Sequence, residues 1–170
     1  MTTIGIISDT HITPGGKRQL PPMVFETFAA VDLILHCGDL NTLQVVRDLE
    51  ALAPVVAVRG NNDDHEAVLQ LPTRRIITIE SCHIGMVHGD RGNGRNTPEI
   101  ALSNFADEEN LDAVIFGHSH WPFLEWREHL GAQILLFNPG SASDKRRAPH
   151  FSCGLLHVEN RKIEAEIITW

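Results

Sequence analysis

The chain has 170 residues, 42% apolar and 21% charged, which suits one compact core and argues against disorder. Its formal net charge of −8 argues against a broad surface that tracks a nucleic-acid backbone, although a local positive centre would still draw an anionic substrate. Three cysteines with no close pairing (Cys37, Cys82, Cys153) suit reduced thiols in the cytoplasm, and neither a leader pattern nor a membrane-spanning apolar run is seen.

In chain order, Thr3 to Ser8 is a β-branched run that ends in Asp9-Thr10-His11, followed by a loop at Pro14 to Arg18. Pro21 to Ala30 has helical spacing. Leu33-Ile34-Leu35 is a second buried run, ending in His36-Cys37-Gly38-Asp39. Asn41 or Thr42 can cap a helix to about Leu52, and Val55 to Val58 is a third buried run before Arg59-Gly60-Asn61-Asn62-Asp63. Strands that are apolar on both faces and alternate with helices indicate a parallel α/β sheet.

The second half opens with a hairpin, Arg75 to Ile79 and Ile84 to Val87, turning through Glu80 to His83 and ending in His88-Gly89-Asp90. Thr97-Pro98-Glu99 starts a helix expected to reach about Asn110. Ala113 to Phe116 is a strand followed by Gly117-His118-Ser119-His120. Four further strands follow: Phe123 to Arg127, Ile134 to Phe137, Gly154 to Val158 and Ile163 to Thr169. No repeat or linker interrupts the chain, so residues 1–170 read as a single domain of two mixed sheets face to face with helices outside.

Five strand ends carry metal-ligating side chains: Asp9 with His11, Asp39, Asn61, His88, and His118 with His120. On an extended chain His118 and His120 share a side, and the pair can hold one ion or straddle two. Carboxylate, amide and imidazole without thiolate suit Mn²⁺, Fe²⁺, Zn²⁺ or Ni²⁺ better than a structural zinc site. Seven candidates are too many for one tetrahedral ion and about right for two ions sharing a bridge, the arrangement that clamps both oxygens of a phosphoryl displacement.

These residues resemble the five motifs of the calcineurin-like metallophosphoesterases, in order from Asp9 to His120, with Asn138-Pro139-Gly140-Ser141 resembling a later signature. The resemblance is to the small single-domain phosphodiesterases of bacteria and archaea, whose fold the retromer subunit shares. It implies a four-layer αββα sandwich and two divalent ions, Mn²⁺ first, with Ni²⁺, Fe²⁺ or Zn²⁺ as alternatives. It assigns Asp9, His11 and His120 to one ion, Asn61, His88 and His118 to the other, and Asp39 to the bridge. Asp39 and Asn61 are thereby catalytic, and attack on phosphorus is by a metal-bridging hydroxide. The implied function is a phosphodiesterase acting on a small aryl or nucleotide diester. The alternative is a metal-binding scaffold of the same fold that works through its surface. Relatives often form homo-oligomers, but no interface is legible here.

Two positions depart from the family pattern. Where many members have a leaving-group histidine the chain has Asn62, which is no general acid near neutral pH and favours substrates with good leaving groups. Asp90 stands where a histidine is common. Asp63 is read as orienting His11 from behind. Asn62, Arg91 and Arg95 are candidate substrate contacts, with Arg146 and Arg147 as further cations, and Trp121 can stack on a base or aryl ring. His36 reads as a buried, hydrogen-bonded histidine.

Overall fold

A computed structural model describes residues 1–170. The first sheet is built from β1 (Thr2–Ile7), β2 (Leu33–Cys37), β3 (Val55–Val58), β9 (Ser152–Glu159) and β10 (Lys162–Thr169). Its order is β10-β9-β1-β2-β3, with β1, β2 and β3 parallel and β9 antiparallel to β1. The second holds β4 (Arg74–Ile79), β5 (Cys82–Val87), β6 (Ala113–Ile115), β7 (Phe123–His129) and β8 (Ala132–Asn138), in the order β4-β5-β6-β8-β7. Both sheets are mixed, because β5, β6 and β8 run parallel while β4 and β7 are antiparallel edges.

The sheets close on one another over Ile4, Ile6, Leu35 and Leu156 from the first and Ile84, Met86, Ile115 and Phe137 from the second, all buried. The central strands are buried on their outer faces as well. Against Ile7, Ile34 and Ala57 pack α1 (Pro22–Thr27), α2 (Gln44–Glu50) and α3 (His65–Gln70), through Val24, Val45, Leu49 and Ala67. Ala101 of α4 (Thr97–Ser103), with Phe105 and Leu111 beyond it, covers Val87, Val114 and Leu136 of the second sheet. The result is the expected αββα layering. Two-sided burial explains why these strands read as continuous apolar runs rather than alternating ones.

Helix ends differ from the sequence reading for identifiable reasons. The first helix stops at Thr27 rather than Ala30, because the chain tightens to bring Asp32 to β1. There Asp32 Oδ2 accepts from the Thr3 N–H at 2.8 Å, and the Asp32 N–H donates to the Thr3 carbonyl at 2.8 Å. The fourth ends at Ser103 rather than near Asn110. The side chains of Ser103 and Asn104 both donate to the Ile100 carbonyl at 2.8 Å, and Asn104 also donates to the Arg91 carbonyl at 2.7 Å. The short α3 was not expected. It buries only Ala67, too little for an apolar stripe, and its signal is Asp64, whose carboxylate accepts from the Ala67 N–H at 2.8 Å. The turn between β4 and β5 is also shorter than expected, since Ile79 pairs directly with Cys82. No helix is long and apolar enough to cross a membrane.

Candidate metal centre

The ends of β1 and β2 in one sheet meet the ends of β5, β6 and β8 in the other at a single edge of the sandwich. Backbone bonds join neighbouring ends within each sheet, Asp9 N–H to the Gly38 carbonyl at 3.0 Å, His11 N–H to Asp39 at 2.9 Å and Gly117 N–H to His88 at 3.0 Å, and across the sheets the His118 N–H donates to Asp9 Oδ2 at 2.9 Å. Asp9, His11, Asp39, His118 and His120 all have positive φ, from 46° to 68°, in the left-handed region that side chains other than glycine avoid. Each costs on the order of 1 kcal/mol or more, so the surroundings must impose it. Ser141 Oγ donates to the Asp9 carbonyl at 2.7 Å, Ser143 Oγ to the Thr10 carbonyl at 2.7 Å and Arg18 to the His11 carbonyl at 3.0 Å. Clustered strain of this kind marks a site.

The left-handed turns also correct the reading of the two terminal histidines. They do not continue an extended strand, since β6 ends at Ile115. The turn sends them to different neighbours. The His118 ring lies edge-on to His88 with centroids 5.2 Å apart, whereas the His120 ring stacks on His11 at 5.0 Å.

Three imidazoles are oriented alike. His88 Nδ1 bonds the Cys37 carbonyl at 2.8 Å, His120 Nδ1 bonds the Asp144 carbonyl and His11 Nδ1 faces Asn41 Oδ1 at 3.1 Å. A carbonyl only accepts, so each Nδ1 carries the proton and each Nε2 is left as a ligand atom, the arrangement second-layer partners impose in metal sites. His11 Nε2 and His120 Nε2 then face each other at 3.2 Å, with Asp9 Oδ1 at 3.9 and 3.4 Å from them. Two lone pairs opposed at that range repel unless a cation lies between. Asp39 Oδ2 sits 3.5 Å from His11 Nε2 and 3.3 Å from His88 Nε2. Asp9 Oδ1 and His88 Nε2 are buried without a hydrogen-bond partner. The donors fall into two triads, Asp9-His11-His120 and Asp9-Asp39-His88, whose ligand atoms lie within 4.8 Å of one another. Orphaned buried donors of this chemistry fit divalent ions.

Burial holds His120 down to about 4 and lowers His11 and His118 as well, keeping these rings neutral. Burial would also lower His88, but Asp39 and Asp9 raise it to about 9. Burial lifts Asp9 to about 7, against the pull of His88. Asp39 is held below the usual carboxylate range in spite of burial, by His88 and by two N–H groups of Asn62. An incoming cation must therefore displace the proton of His88 and part of that of Asp9. Titration calorimetry in buffers of different ionisation enthalpy should show proton release on Mn²⁺ binding at pH 7, and affinity should rise from pH 6 to 9. Without metal the sign for stability is opposite. The His88 contribution is complete below its unfolded pKa of 6.5 and is lost as pH rises through about 9; that of Asp9 is complete below 3.8 and lost through about 7. Chelated protein should accordingly melt at lower temperature at pH 9 than at pH 6.

Other expected site residues take varied places. Asn61 is exposed, makes no side-chain hydrogen bond within the chain, and lines a cavity of about 330 Å³ shared with Asp90 and Arg91. Asn62, read as a substrate contact, instead aims its backbone N–H and its Nδ2 at the two oxygens of Asp39, at 2.8 and 2.7 Å. Asp63 does not orient His11. It accepts from the N–H groups of Asn41 at 2.7 Å and Gly60 at 2.6 Å, and it is Asn41 that touches His11. Asn41 is correspondingly not a helix cap, and α2 starts without a side-chain cap. Arg91 pairs with Asp90 at 3.2 Å, while Arg95 is exposed, bonds Glu99 through its backbone and stays off the cavity wall. Trp121 is half exposed beside His120. His36 is buried and bonds Thr10 Oγ1 at 3.1 Å. Sequence reasoning missed Asn41 at His11 and the carbonyls of Cys37 and Asp144. Only Asn41 has a side-chain signal, an amide two residues past Asp39.

Comparison with known proteins agrees with this architecture. The calcineurin-like phosphoesterase superfamily domain matches residues 2–161. The chain is 39% identical over 168 residues to a probable metallophosphoesterase of Methanothermobacter thermautotrophicus, covering 97% of this chain and 91% of that protein. The fold is shared with an archaeal phosphodiesterase (TM-score 0.75, 24% identity, 98% of this chain and 100% of that one). It is shared equally with Vps29 of Entamoeba histolytica complexed with Zn²⁺ (TM-score 0.73, 23% identity, 99% of each chain). A family match over nearly the whole length, on a chain whose strand ends gather these ligands, places this protein in the calcineurin-like phosphoesterase superfamily.

Proposed function

We propose that the protein is a phosphodiesterase that uses two divalent ions to hydrolyse a small phosphodiester with a good leaving group. The observation that carries this reading is the convergence of Asp9 and Asp39 with the Nε2 atoms of His11, His88 and His120, each ring anchored through Nδ1. Family membership supports metal-dependent phosphoester hydrolysis at the coarser level. Divalent ions at such a centre acidify water into a nucleophile at neutral pH and neutralise charge on the phosphoryl oxygens. The chain's own part is to fix the donors. Asn62 holds both oxygens of Asp39, and Asp39 lies between His11 and His88 as a bridge would. Asn61 and His118 complete the second ligand set in this reading. Asn62 has no proton to give near neutral pH, so aryl and nucleotide diesters are the favoured class. The donor set suits Mn²⁺, with Ni²⁺, Fe²⁺ or Zn²⁺ as alternatives. The three unpaired cysteines favour the cytoplasm as the place of action.

The test is hydrolysis of bis(p-nitrophenyl) phosphate with Mn²⁺ or Ni²⁺, before and after chelation. Protein that binds two ions yet shows no turnover with any divalent metal sinks the proposal. The fold shared with Vps29 supports a second reading, a protein-docking scaffold, which gains if the cellular role survives Asp39→Asn. His120 belongs to only one triad, so His120→Ala should empty one site preferentially. Equal loss of both ions in equilibrium dialysis would count against this division.

A further inference from the structure

The cavity of about 330 Å³ beside Asn61 is open to a further reading. Its wall is mostly polar, with Val68 and Val87 the only apolar residues, and Arg59 and Arg91 both line it. Arg91 has a carboxylate partner in Asp90, which also lines the space. Arg59 has none. It forms no ion pair and no side-chain hydrogen bond within the chain, and while its Nε is sealed off by the protein its terminal Nη groups are not. A guanidinium left without a partner is matched best by a phosphate, which here would meet the terminal Nη pair. Gly60 lines the same cavity, and a Cβ there would lie 2.2 Å from Asp39 Oδ1 and 2.8 Å from His88 Cδ2. One glycine therefore separates the cavity from two ligand residues. The space is large enough for a phosphate with part of a sugar.

We propose that this cavity is a subsite for a second phosphate group of the substrate, bound by the Arg59 guanidinium, so that the preferred class is a phosphodiester carrying a further phosphate close by. The proposal rests on the phosphodiesterase reading and narrows it. Arg59 is a specificity residue for the distal group, not a participant in the displacement.

The test compares the Mn²⁺-loaded protein on thymidine 5′-(p-nitrophenyl phosphate) and on the same ester bearing a 3′-phosphate. The 3′-phosphate should raise kcat/KM about ten-fold or more, chiefly through KM, as expected of a charge-assisted hydrogen bond. Arg59→Met should cut this preference to about two-fold, and Arg59→Lys should keep part of it, since the charge remains while the fork is lost. Equal kcat/KM for the two esters, or a preference that Arg59→Met does not lower, overturns the subsite. A second measurement is independent of turnover and of any variant's folding. Titrating the metal-free wild-type protein with inorganic phosphate should shift the NMR resonances of the Arg59 guanidinium, its terminal Nη–H groups foremost, and resonances that stay still at millimolar phosphate also overturn it. If neither ester is cleaved with any divalent ion, the phosphodiesterase reading fails, and the phosphate titration alone decides the cavity.

Discussion

Asp39→Asn should lower kcat on bis(p-nitrophenyl) phosphate by about a thousandfold, the scale of several kcal/mol of metal-borne charge stabilisation. The substitution is isosteric, and Asn62 keeps an oxygen to bond, so the fold should survive. What goes is a negative charge 3.3 Å from His88 Nε2 and 3.5 Å from His11 Nε2, a position that touches both triads. His88 owes much of its rise to about 9 to this carboxylate, so proton release on Mn²⁺ binding at pH 7 should shrink in the variant. Kinetics, metal stoichiometry and calorimetry test one cause from three directions. Near-native activity together with full metal occupancy would remove Asp39 from the centre.

Gly117→Ala should damage both the fold and the site through a single methyl group. A Cβ at Gly117 would lie 1.9 Å from Ser8 Oγ and 2.6 Å from Asp9 Oδ2, inside a buried hydrogen bond of 2.7 Å between those two side chains. Overpacking of this kind costs about 1–3 kcal/mol, visible as a lower urea midpoint at unchanged slope. It should also weaken metal binding, because Asp9 Oδ2 is held by Ser8 and by the His118 N–H at 2.9 Å, and tilting it moves Oδ1. Gly131→Ala is the control. It has φ of +82° with nothing within 4 Å, so only the left-handed penalty of about 1 kcal/mol applies there. The double variant Ser8→Ala with Gly117→Ala should regain part of the loss, since it removes the nearest obstacle.

The strands were legible because burial on two faces leaves a plain mark, a short apolar run that stops at a polar, glycine-containing turn. Helix ends were not. They are decided by Asp32 reaching back to Thr3 and by Asn104 reaching across to Arg91, contacts between segments that no local window contains. In the site, the acidic and imidazole candidates could be named from their strand ends, and the resemblance supplied their division between two ions. The next layer left almost no trace, because the acceptors that orient His88 and His120 are backbone carbonyls, and any residue type supplies those. The Asn61-Asn62 pair shows another limit: residue type says amide, while the turn alone decides which of the two bonds Asp39.

The order in which these parts leave the ribosome follows from the topology. Every expected ligand, from Asp9 to His120, precedes residue 121, and the second sheet is complete by Asn138. Ser141, Ser143 and the Asp144 carbonyl, which clamp Asp9, Thr10 and His120, come only afterwards, and β9, the second neighbour of β1, comes last but one. A nascent chain thus carries a full set of donors well before it has the braces that aim them. Metal met early in synthesis finds loose imidazoles and carboxylates, and selective capture has to wait for the C-terminal hairpin.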